Sequence, residues 1–187
     1  MRISFPDVRF VFLDRDGVIN RKAPDGAYVS SPGDFHLLPG AESAIAALNR
    51  CGRRVIVISN QRGVALGRYT RADVDALHAW LQELLSAHAA HIDGFYYCPH
   101  DKDECDCRKP KTGLFQQAFR DFPDASAANS IVIGDSVSDI QAARTLGLPS
   151  IFIQGDPLTQ RPGSDQAAGL ADAVSSSLLN AVEQYLA

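Results

Sequence analysis

Five short apolar runs alternate along the chain with longer segments in which apolar residues recur at helical spacing. The runs are rich in β-branched and aromatic residues and too short for buried helices, so each predicts a strand. The predicted strands cover residues 8–13, 55–58, 95–97, 131–133 and 151–153. The predicted helices cover residues 41–50, 71–89, 113–121, 137–146 and 174–186.

This alternation predicts an α/β fold. Strands that are apolar on both faces and separated by helices favour a central parallel sheet with helices on each side, a Rossmann-like three-layer α/β/α sandwich. Ligands of such sheets bind beyond the carboxyl ends of the strands. The long loops 20–40, 61–70 and 98–112 follow strand ends and are expected to form a site, whereas 154–170 is expected to be only a mobile connection.

Composition narrows the function classes. The chain has 187 residues, 45% hydrophobic and 21% charged, which is typical of one soluble globular domain, here spanning 1–187. A net charge of -4 provides no general attraction to nucleic acid or anionic lipid. No stretch approaches the ~20 apolar residues of a membrane span, and residues 1–14 do not resemble a signal peptide. We therefore expect a cytoplasmic protein with neither nucleic acid nor membrane as partner.

The first predicted strand ends in Asp14, Arg15, Asp16 and Gly17. Two carboxylates two residues apart, at the mouth of a parallel sheet, can share a cation while one oxygen remains free as a nucleophile. A plain turn is the alternative, because Asp and Gly both favour turns.

Polar groups also follow two further strands. They are Ser59, Asn60 and Gln61 after the second strand, and Asp135, Ser136 and Asp139 after the fourth. Taken alone, each set is explained by helix capping or a loop. Together with Asp14 and Asp16, however, they place at three strand ends the groups that a phosphate and a hard cation require.

A cluster of soft metal ligands follows the third predicted strand. Cys98, His100, Cys105 and Cys107 supply three thiolates and one imidazole, the ligand set of a closed tetrahedral zinc site, which would be structural. Free cysteines beside a hydrogen-bonded histidine are the alternative.

Basic residues come directly after these cysteines. Arg108, Lys109 and Lys111 could neutralise a phosphoryl group during transfer, or they could form a solvated charged loop.

The motifs Asp14-x-Asp16-Gly17, Ser59-Asn60, Lys109 and Gly134-Asp135-x-x-x-Asp139 resemble those of the haloacid-dehalogenase-like hydrolases, over about residues 10–153. Within that superfamily, the stretches 14–20, 28–29, 59–63 and 98–110 are similar to the heptose bisphosphate phosphatases, with the histidinol-phosphate phosphatase domain as a near sister. Both families lack a mobile cap domain, and the intervals before Ser59 and Lys109 leave no room for one. A monomer is the default expectation for such a domain.

The resemblance implies a role for each motif residue. Asp14 would be the nucleophile that forms an aspartyl-phosphate, and the side chains of Asp14 and Asp135 with the backbone carbonyl of Asp16 would bind catalytic Mg²⁺. The Asp16 carboxyl would transfer protons, and Ser59 and Lys109 would hold phosphoryl oxygens. Asp139 would orient Lys109 or a metal-bound water. Lys111 could replace Lys109 on charge alone.

The implied substrate is a heptose 1,7-bisphosphate, whose 7-phosphate is removed while Arg108 holds the 1-phosphate with help from Arg62 or Lys22. The substrate-binding set is Asp25, Gly26, Tyr28, Asn60, Gln61, Arg62 and Arg108. Several cations suit a bisphosphate better than the cationic amine of histidinol phosphate, which is the runner-up. Ser136 departs from the heptose pattern, in which many relatives carry a basic residue after the motif aspartate. A zinc-stabilised binding module without catalysis is the non-enzyme alternative.

Overall fold

The computed structural model describes residues 5–24, 26–155 and 162–186, which form a six-stranded, fully parallel sheet with helices on both faces. The strands are β1 (Phe10–Leu13), β2 (Arg54–Asn60), β3 (Gly94–Cys98), β4 (Ser130–Gly134), β5 (Ser150–Ile153) and β6 (Ala173–Ser175). The helices are α1 (Ala41–Arg50), α2 (Arg71–Ser86), α3 (Gly113–Asp121), α4 (Val137–Leu146), α5 (Ser164–Leu170) and α6 (Leu178–Ala181), which continues as a π-helical turn over Val182–Leu186. The predicted α/β/α sandwich is confirmed.

Alternating residues of the strands pack on opposite sides of the sheet. Val11 and Leu13 of β1 face α1, α2 and α6, while Phe10 and Phe12 face α3 and α4. All four side chains of β1 are buried, as are the five residues of β4. A strand buried on both faces has no polar alternation, which explains why these runs are continuously apolar.

The strand order is β3-β2-β1-β4-β5-β6. The sheet is thus extended from β1 toward β3 on one side and from β4 toward β6 on the other, and the switch point lies between β1 and β4. At such a switch point the connections leave the two strand ends on opposite sides, and a crevice opens beyond their carboxyl ends. Within the described residues, the intervals before β2 and between β3 and β4 carry α1 and α3 but no additional folded unit that could act as a cap. None of the described helices is long and apolar enough to cross a membrane.

The structure differs from the sequence prediction in the C-terminal part of the chain. Residues 164–170 form α5 rather than a mobile connection, residues 173–175 form the edge strand β6, and the final helix begins at Leu178 rather than at residue 174. The helix α5 has only Ala167 fully buried, and β6 is three residues long with a buried Ser175, so neither has the apolar periodicity that sequence reasoning uses. The helix α2 also ends at Ser86, three residues earlier than predicted.

Candidate active site

Three strand ends meet at the switch point. Asp14 follows β1, Ser59 and Asn60 end β2, and Asp135 follows β4. The backbone N–H of Asp14 donates to the carbonyl of Ile133 at 3.0 Å, so the sheet ladder continues up to this residue. The position of Asp14 is therefore fixed by the sheet rather than by a loop.

The ammonium of Lys109 is buried between two carboxylates. Its Nζ lies 3.0 Å from Asp14 Oδ1 and 2.7 Å from Asp139 Oδ1, and it also donates to the carbonyl of Ile58. Although burial opposes protonation, Asp139 and Asp14 raise the pKa of Lys109, so its positive charge is retained. Lys111, by contrast, is exposed and contacts the Cys105 carbonyl and Asp106. The structure thus distinguishes the two lysines.

The Asp14 carboxyl lies in a strongly charged environment. Burial raises its pKa and Lys109 opposes this effect, while the nearby carboxylates of Asp139 and Asp16 reinforce it. A cation added beside Asp14 would favour its ionised, nucleophilic form.

Asp139 is held at the first turn of α4. Ser136 caps this helix, and its backbone N–H and hydroxyl donate to Asp139 Oδ2 at 3.1 and 2.6 Å. A Cβ on Gly134 would lie 2.3 Å from the Asp139 Cβ, so only glycine fits there. Asp139 therefore presents its other oxygen, Oδ1, to the Lys109 ammonium.

Asp135 forms a buried ion pair with Lys22 from the loop after β1. Gly17 makes this possible, because its φ of 95° lies in the left-handed region and a Cβ there would stand 1.9 Å from Asp135 Oδ2. Burial raises the pKa of Asp135 to about 7, an effect that Lys22 opposes and that Asp14 and Asp139 reinforce.

The carboxylates of Asp14, Asp135 and Asp139 offer oxygen atoms that all lie within 4.8 Å of one another. Asp135 Oδ1 is buried and has no hydrogen-bond partner among the described residues. Clustered carboxylate oxygens with an unsatisfied member fit a hard divalent cation such as Mg²⁺. The site residues are therefore compatible with the expected metal.

Asp16 is fixed by a different set of contacts. Arg15 Nη2 donates to both Asp16 oxygens at 3.1 and 3.0 Å, Asn20 donates to Oδ1 at 2.8 Å, and Gln61 donates to Oδ2 at 3.2 Å. Although burial opposes it, the Arg15 guanidinium and these hydrogen bonds lower the pKa of Asp16. Asp14 and Asp16 are thus driven in opposite directions, a pattern typical of paired groups with different roles.

Arg15 is itself almost fully buried, with 1% of its surface exposed. It also donates to the Val29 carbonyl at 3.1 Å, and its Nη1 lies 3.5 Å from His78 Nε2. The His78 ring stacks on Phe95 with ring centres 4.5 Å apart. Burial and the Arg15 charge lower the pKa of His78 to about 3, so the neutral ring can accept from Arg15.

Gln61 links Ser59 to Asp16. Its amide N–H donates to Ser59 Oγ at 2.7 Å as well as to Asp16, and its carbonyl accepts from the Tyr69 hydroxyl at 2.8 Å. Burial raises the pKa of Tyr69 to about 12, so this hydroxyl remains a donor.

Asn60 joins β2 to the cysteine loop. Its side chain accepts from the Lys109 N–H and donates to the Lys109 carbonyl, both at 3.1 Å. This pair of hydrogen bonds sets the position of the Lys109 backbone.

A cavity of about 400 Å³ opens beside Asp16. Its walls include every residue predicted to bind substrate that the structure describes: Gly26, Tyr28, Asn60, Gln61, Arg62 and Arg108. Asp25, also predicted to bind substrate, lies outside the described residues. Residues from three separate loops therefore converge on one space.

The cationic side chains around this cavity differ in whether they already have a partner. Arg62 is ion-paired with Asp101, whereas Arg108 Nη1 is buried and has no hydrogen-bond partner among the described residues. Lys22 and Lys102 also line the cavity. Arg108 thus has a donor available for an incoming anion.

Cys98, the last residue of β3, and three soft ligands from the loop after it converge as predicted. The Sγ atoms of Cys98 and Cys105 are 3.5 Å apart, those of Cys105 and Cys107 are 3.2 Å apart, and His100 Nδ1 lies 3.7 and 3.3 Å from the Sγ atoms of Cys98 and Cys107. Ligands about 2.3 Å from a tetrahedral zinc would be separated by similar distances, close to 3.8 Å. All three thiols are free, so the donor set fits Zn²⁺.

Sequence reasoning missed several residues of this site. Arg15, Asn20 and His78 hold Asp16 or its partners, and Lys102 joins the cavity wall. The signal for Arg15 was present, because a charged residue enclosed by two carboxylates directly after a buried strand needs a partner. His78 gave no signal, since its partners come from distant parts of the chain.

Together, the fold and this site define a haloacid-dehalogenase-like hydrolase. A family model described as HAD-hydrolase-like matches residues 106–181. The chain is 38% identical over 184 residues to the D-glycero-beta-D-manno-heptose-1,7-bisphosphate 7-phosphatase of Vibrio cholerae, covering 94% of this chain and 95% of that protein. It is 39% identical over 169 residues to the corresponding alpha-heptose enzyme of Mycobacterium bovis, covering 90% and 86%.

Among solved structures, the D,D-heptose 1,7-bisphosphate phosphatase of B. bronchiseptica, complexed with magnesium and phosphate, superposes with a TM-score of 0.82 at 30% identity. The match covers 95% of this chain and 97% of that one. The chain belongs to the heptose-1,7-bisphosphate 7-phosphatase family.

Proposed function

We propose that this protein is a magnesium-dependent phosphatase that removes the 7-phosphate of a D-glycero-D-manno-heptose 1,7-bisphosphate through an aspartyl-phosphate. The observation that carries the proposal is the placement of Asp14 against Lys109 at the switch point, beside a cavity with several cations on its walls. A module that only bound phosphate would not place Asp14 and Asp16 next to it, because like charges repel.

In the first step, an Asp14 carboxylate oxygen attacks the phosphorus of the 7-phosphate. The new bond joins Asp14 to phosphorus, and the bond between phosphorus and the sugar oxygen breaks. Lys109 and Ser59 hold phosphoryl oxygens, and the fixed ammonium of Lys109 stabilises the negative charge that builds up on them. The protonated Asp16 carboxyl donates its proton to the departing sugar oxygen.

In the second step, the Asp16 carboxylate takes a proton from water, the water oxygen attacks phosphorus, and the bond to Asp14 breaks. Phosphate leaves and Asp14 is restored. The low pKa of Asp16 in the free site suits the start of this step. The first step requires a protonated Asp16 carboxyl. The negative charge of the arriving phosphate opposes the effect of the Arg15 guanidinium, which raises the pKa of Asp16 and favours uptake of that proton.

Asp14, Asp135 and the Asp16 backbone carbonyl would hold magnesium, and Asp139, with its support Ser136, would orient Lys109. The metal supplies positive charge that offsets the repulsion between the anionic nucleophile and the anionic substrate. Elemental analysis and activity after removal and return of magnesium test this assignment.

The Cys98, His100, Cys105 and Cys107 cluster would hold one structural Zn²⁺ per chain. With four protein ligands the zinc has no open position for water, so its part is to fix the loop that carries Arg108 and Lys109. Elemental analysis of the purified active protein tests this: absence of zinc from a correctly folded, active sample would contradict the ligand assignment.

Arg108 is proposed to bind the distal 1-phosphate, because it lines the cavity and its buried Nη1 has no hydrogen-bond partner among the described residues. Arg62 is the weaker candidate, since Asp101 already balances its charge. Gly26, Tyr28 and Gln61 would shape the sugar pocket, and Asp25 is kept as a proposed contact on the resemblance alone.

The decisive assay compares kcat/KM for the alpha and beta heptose 1,7-bisphosphates, histidinol phosphate and p-nitrophenyl phosphate. The relatives named for the beta anomer and for the alpha anomer are 38% and 39% identical to this chain, so the assay must include both anomers. We expect a heptose bisphosphate to be preferred. A preference for histidinol phosphate would overturn the substrate and leave the phosphatase mechanism in place.

Arg108→Ala sharpens the assignment. Losing a charged hydrogen bond to the distal phosphate costs about 1.5–3 kcal/mol, or roughly 10- to 100-fold in kcat/KM for the bisphosphate. Turnover of p-nitrophenyl phosphate, which has no distal phosphate, should change little. Arg68→Ala, an exposed arginine in a neighbouring loop, is the matched control. Equal losses on both substrates would show that Arg108 serves the transferred group instead.

The remaining expectations are proposals as well: a monomer, a single domain over 1–187, a cytoplasmic location, and no nucleic-acid or membrane partner. Light scattering coupled to size exclusion tests the first of these.

A further inference from the structure

We propose that Lys22 is a tethered counter-ion for the magnesium site: its ammonium neutralises Asp135 when the metal is away and is displaced from that carboxylate when Mg²⁺ binds. This inference rests on the proposed function, since it takes Asp14 and Asp135 as the magnesium ligands.

The contact itself is buried and exclusive. The side chains of Lys22 and Asp135 are each 8% exposed, and Nζ of Lys22 meets Oδ2 of Asp135. Within the described residues, Lys22 Nζ has no hydrogen-bond partner that would hold it elsewhere. A buried ammonium without other acceptors depends on its single anion for compensation.

The backbone around the pair leaves room for it. A Cβ on Gly17 would lie 1.9 Å from Asp135 Oδ2 and 2.9 Å from Lys22 Cε, so this glycine keeps open the space in which both side chains meet. The loop is anchored next to Lys22, because Arg21 N–H donates to the His36 carbonyl at 2.8 Å. Lys22 is thus presented to Asp135 from a fixed base.

The two buried lysines divide the acidic cluster between them. Lys109 contacts Asp14 and Asp139, while Lys22 contacts Asp135. The residue after Asp135 is the uncharged Ser136, so the countercharge comes from a distant loop. Without Lys22, the Asp135 carboxylate would lie within 4.8 Å of two other carboxylates and touch no cation among the described residues.

A divalent cation at Asp14 and Asp135 would compete with this arrangement. Two cations drawn to one carboxylate repel each other strongly at contact distance, especially in a largely buried site. The ammonium has somewhere to go, because Lys22 also lines the cavity of about 400 Å³ beside Asp16. Magnesium binding therefore moves a positive charge toward the cavity that is proposed to take the sugar bisphosphate.

The first test measures magnesium affinity by calorimetry in Lys22→Met and Lys22→Gln, with Arg21→Met as the control that removes an adjacent exposed charge. We expect both Lys22 variants to bind Mg²⁺ about tenfold more tightly and, without magnesium, to unfold at a lower temperature. A residue with a purely structural role would weaken both properties. Unchanged or weaker binding in either folded Lys22 variant, or an equal gain in Arg21→Met, would overturn the inference.

The second test uses the unmodified chain. Lysine acetylation followed by mass spectrometry should show that Lys22 becomes more reactive as Mg²⁺ is added, along the same curve as binding, while the exposed Lys102 does not change. Reactivity of Lys22 that stays constant or falls while calorimetry shows binding would overturn the inference alone. If the wild-type chain binds no magnesium, the proposed metal site fails and the inference fails with it.

Discussion

The two sides of the proposed active site are organised by different forces. On one side, Asp14 and Asp135 extend directly from β1 and β4, and each ionised group there contacts an opposite charge. On the other side, residues 99–112 between β3 and α3 form no helix or strand, and the thiols and imidazole of the cluster at Cys98, His100, Cys105 and Cys107 pack against one another. The first side takes its precision from a buried sheet, whereas the second depends on what binds its soft ligands.

Lys109 connects the two sides. Its backbone lies in the cysteine loop and is held to β2 by Asn60, while its ammonium reaches Asp14 and Asp139. Any loosening of the loop should therefore reduce catalysis without disturbing the sheet. This difference between the sides is what the following predictions test.

The largest effect is expected on the sheet side, from Asp14→Asn. Loss of the nucleophile should lower kcat at least about 10⁴-fold. The magnesium-free protein should be no less stable, because one of three crowded carboxylates becomes neutral. Steady-state kinetics, thermal unfolding and zinc content check these outcomes. Appreciable turnover in a pure sample would disprove the assignment of Asp14.

A large effect is also expected from Lys109→Met, which removes the buried ammonium but keeps the length of the side chain. We expect kcat to fall about 10²- to 10³-fold, the usual cost of losing a donor to developing negative charge. Lys111→Met is the matched control in the same loop and should stay within about twofold, because Lys111 is exposed. A similar loss in both variants would mean that loop charge, rather than position, matters.

An intermediate effect is expected from Cys105→Ser. The variant should lose zinc and about 10- to 100-fold in kcat/KM, while far-ultraviolet circular dichroism shows an unchanged sheet. The control is Cys51→Ser, since Cys51 is an exposed free thiol outside the cluster. Global unfolding of Cys105→Ser would show that the metal loop stabilises the sheet as well, which would weaken the contrast between the two sides.

The smallest effect is expected from His78, whose ring contacts the Arg15 guanidinium. Its pKa is lowered to about 3 when folded, whereas the unfolded chain binds a proton near pH 6.5. The unfolded state therefore holds more protons between these values, and stability falls as the pH drops from 6.5 toward 3. For this group, the loss between pH 7 and 5 is about 2 kcal/mol.

Urea unfolding at both pH values measures this contribution. In His78→Gln, the stability lost between pH 7 and 5 should be smaller than in the wild type by that amount, because glutamine does not titrate. His88→Gln, at an exposed histidine on the turn after α2, should behave as the wild type. Identical pH dependence in wild type and His78→Gln would show that His78 is protonated in the folded state.

Much of the site was predictable because its residues are close in sequence to strand ends. Asp14, Ser59 and Asp135 each follow an apolar run, and parallel strands bring such ends to one edge of a sheet whatever their order. The convergence of Cys98, His100, Cys105 and Cys107 was predictable for a similar reason, since four soft donors within ten residues need only a local loop to meet. The α/β class followed from strands that are apolar on both faces.

Only the tertiary structure decided the remaining features. It placed Lys109, rather than Lys111, between two carboxylates. It also paired Lys22 with Asp135 and placed His78 against Arg15. These outcomes depend on which side chains become buried together across long sequence separations, and no local pattern contains that information. The same holds for α5 and β6, whose few small residues fold only because β5 and α4 offer them a surface to pack on.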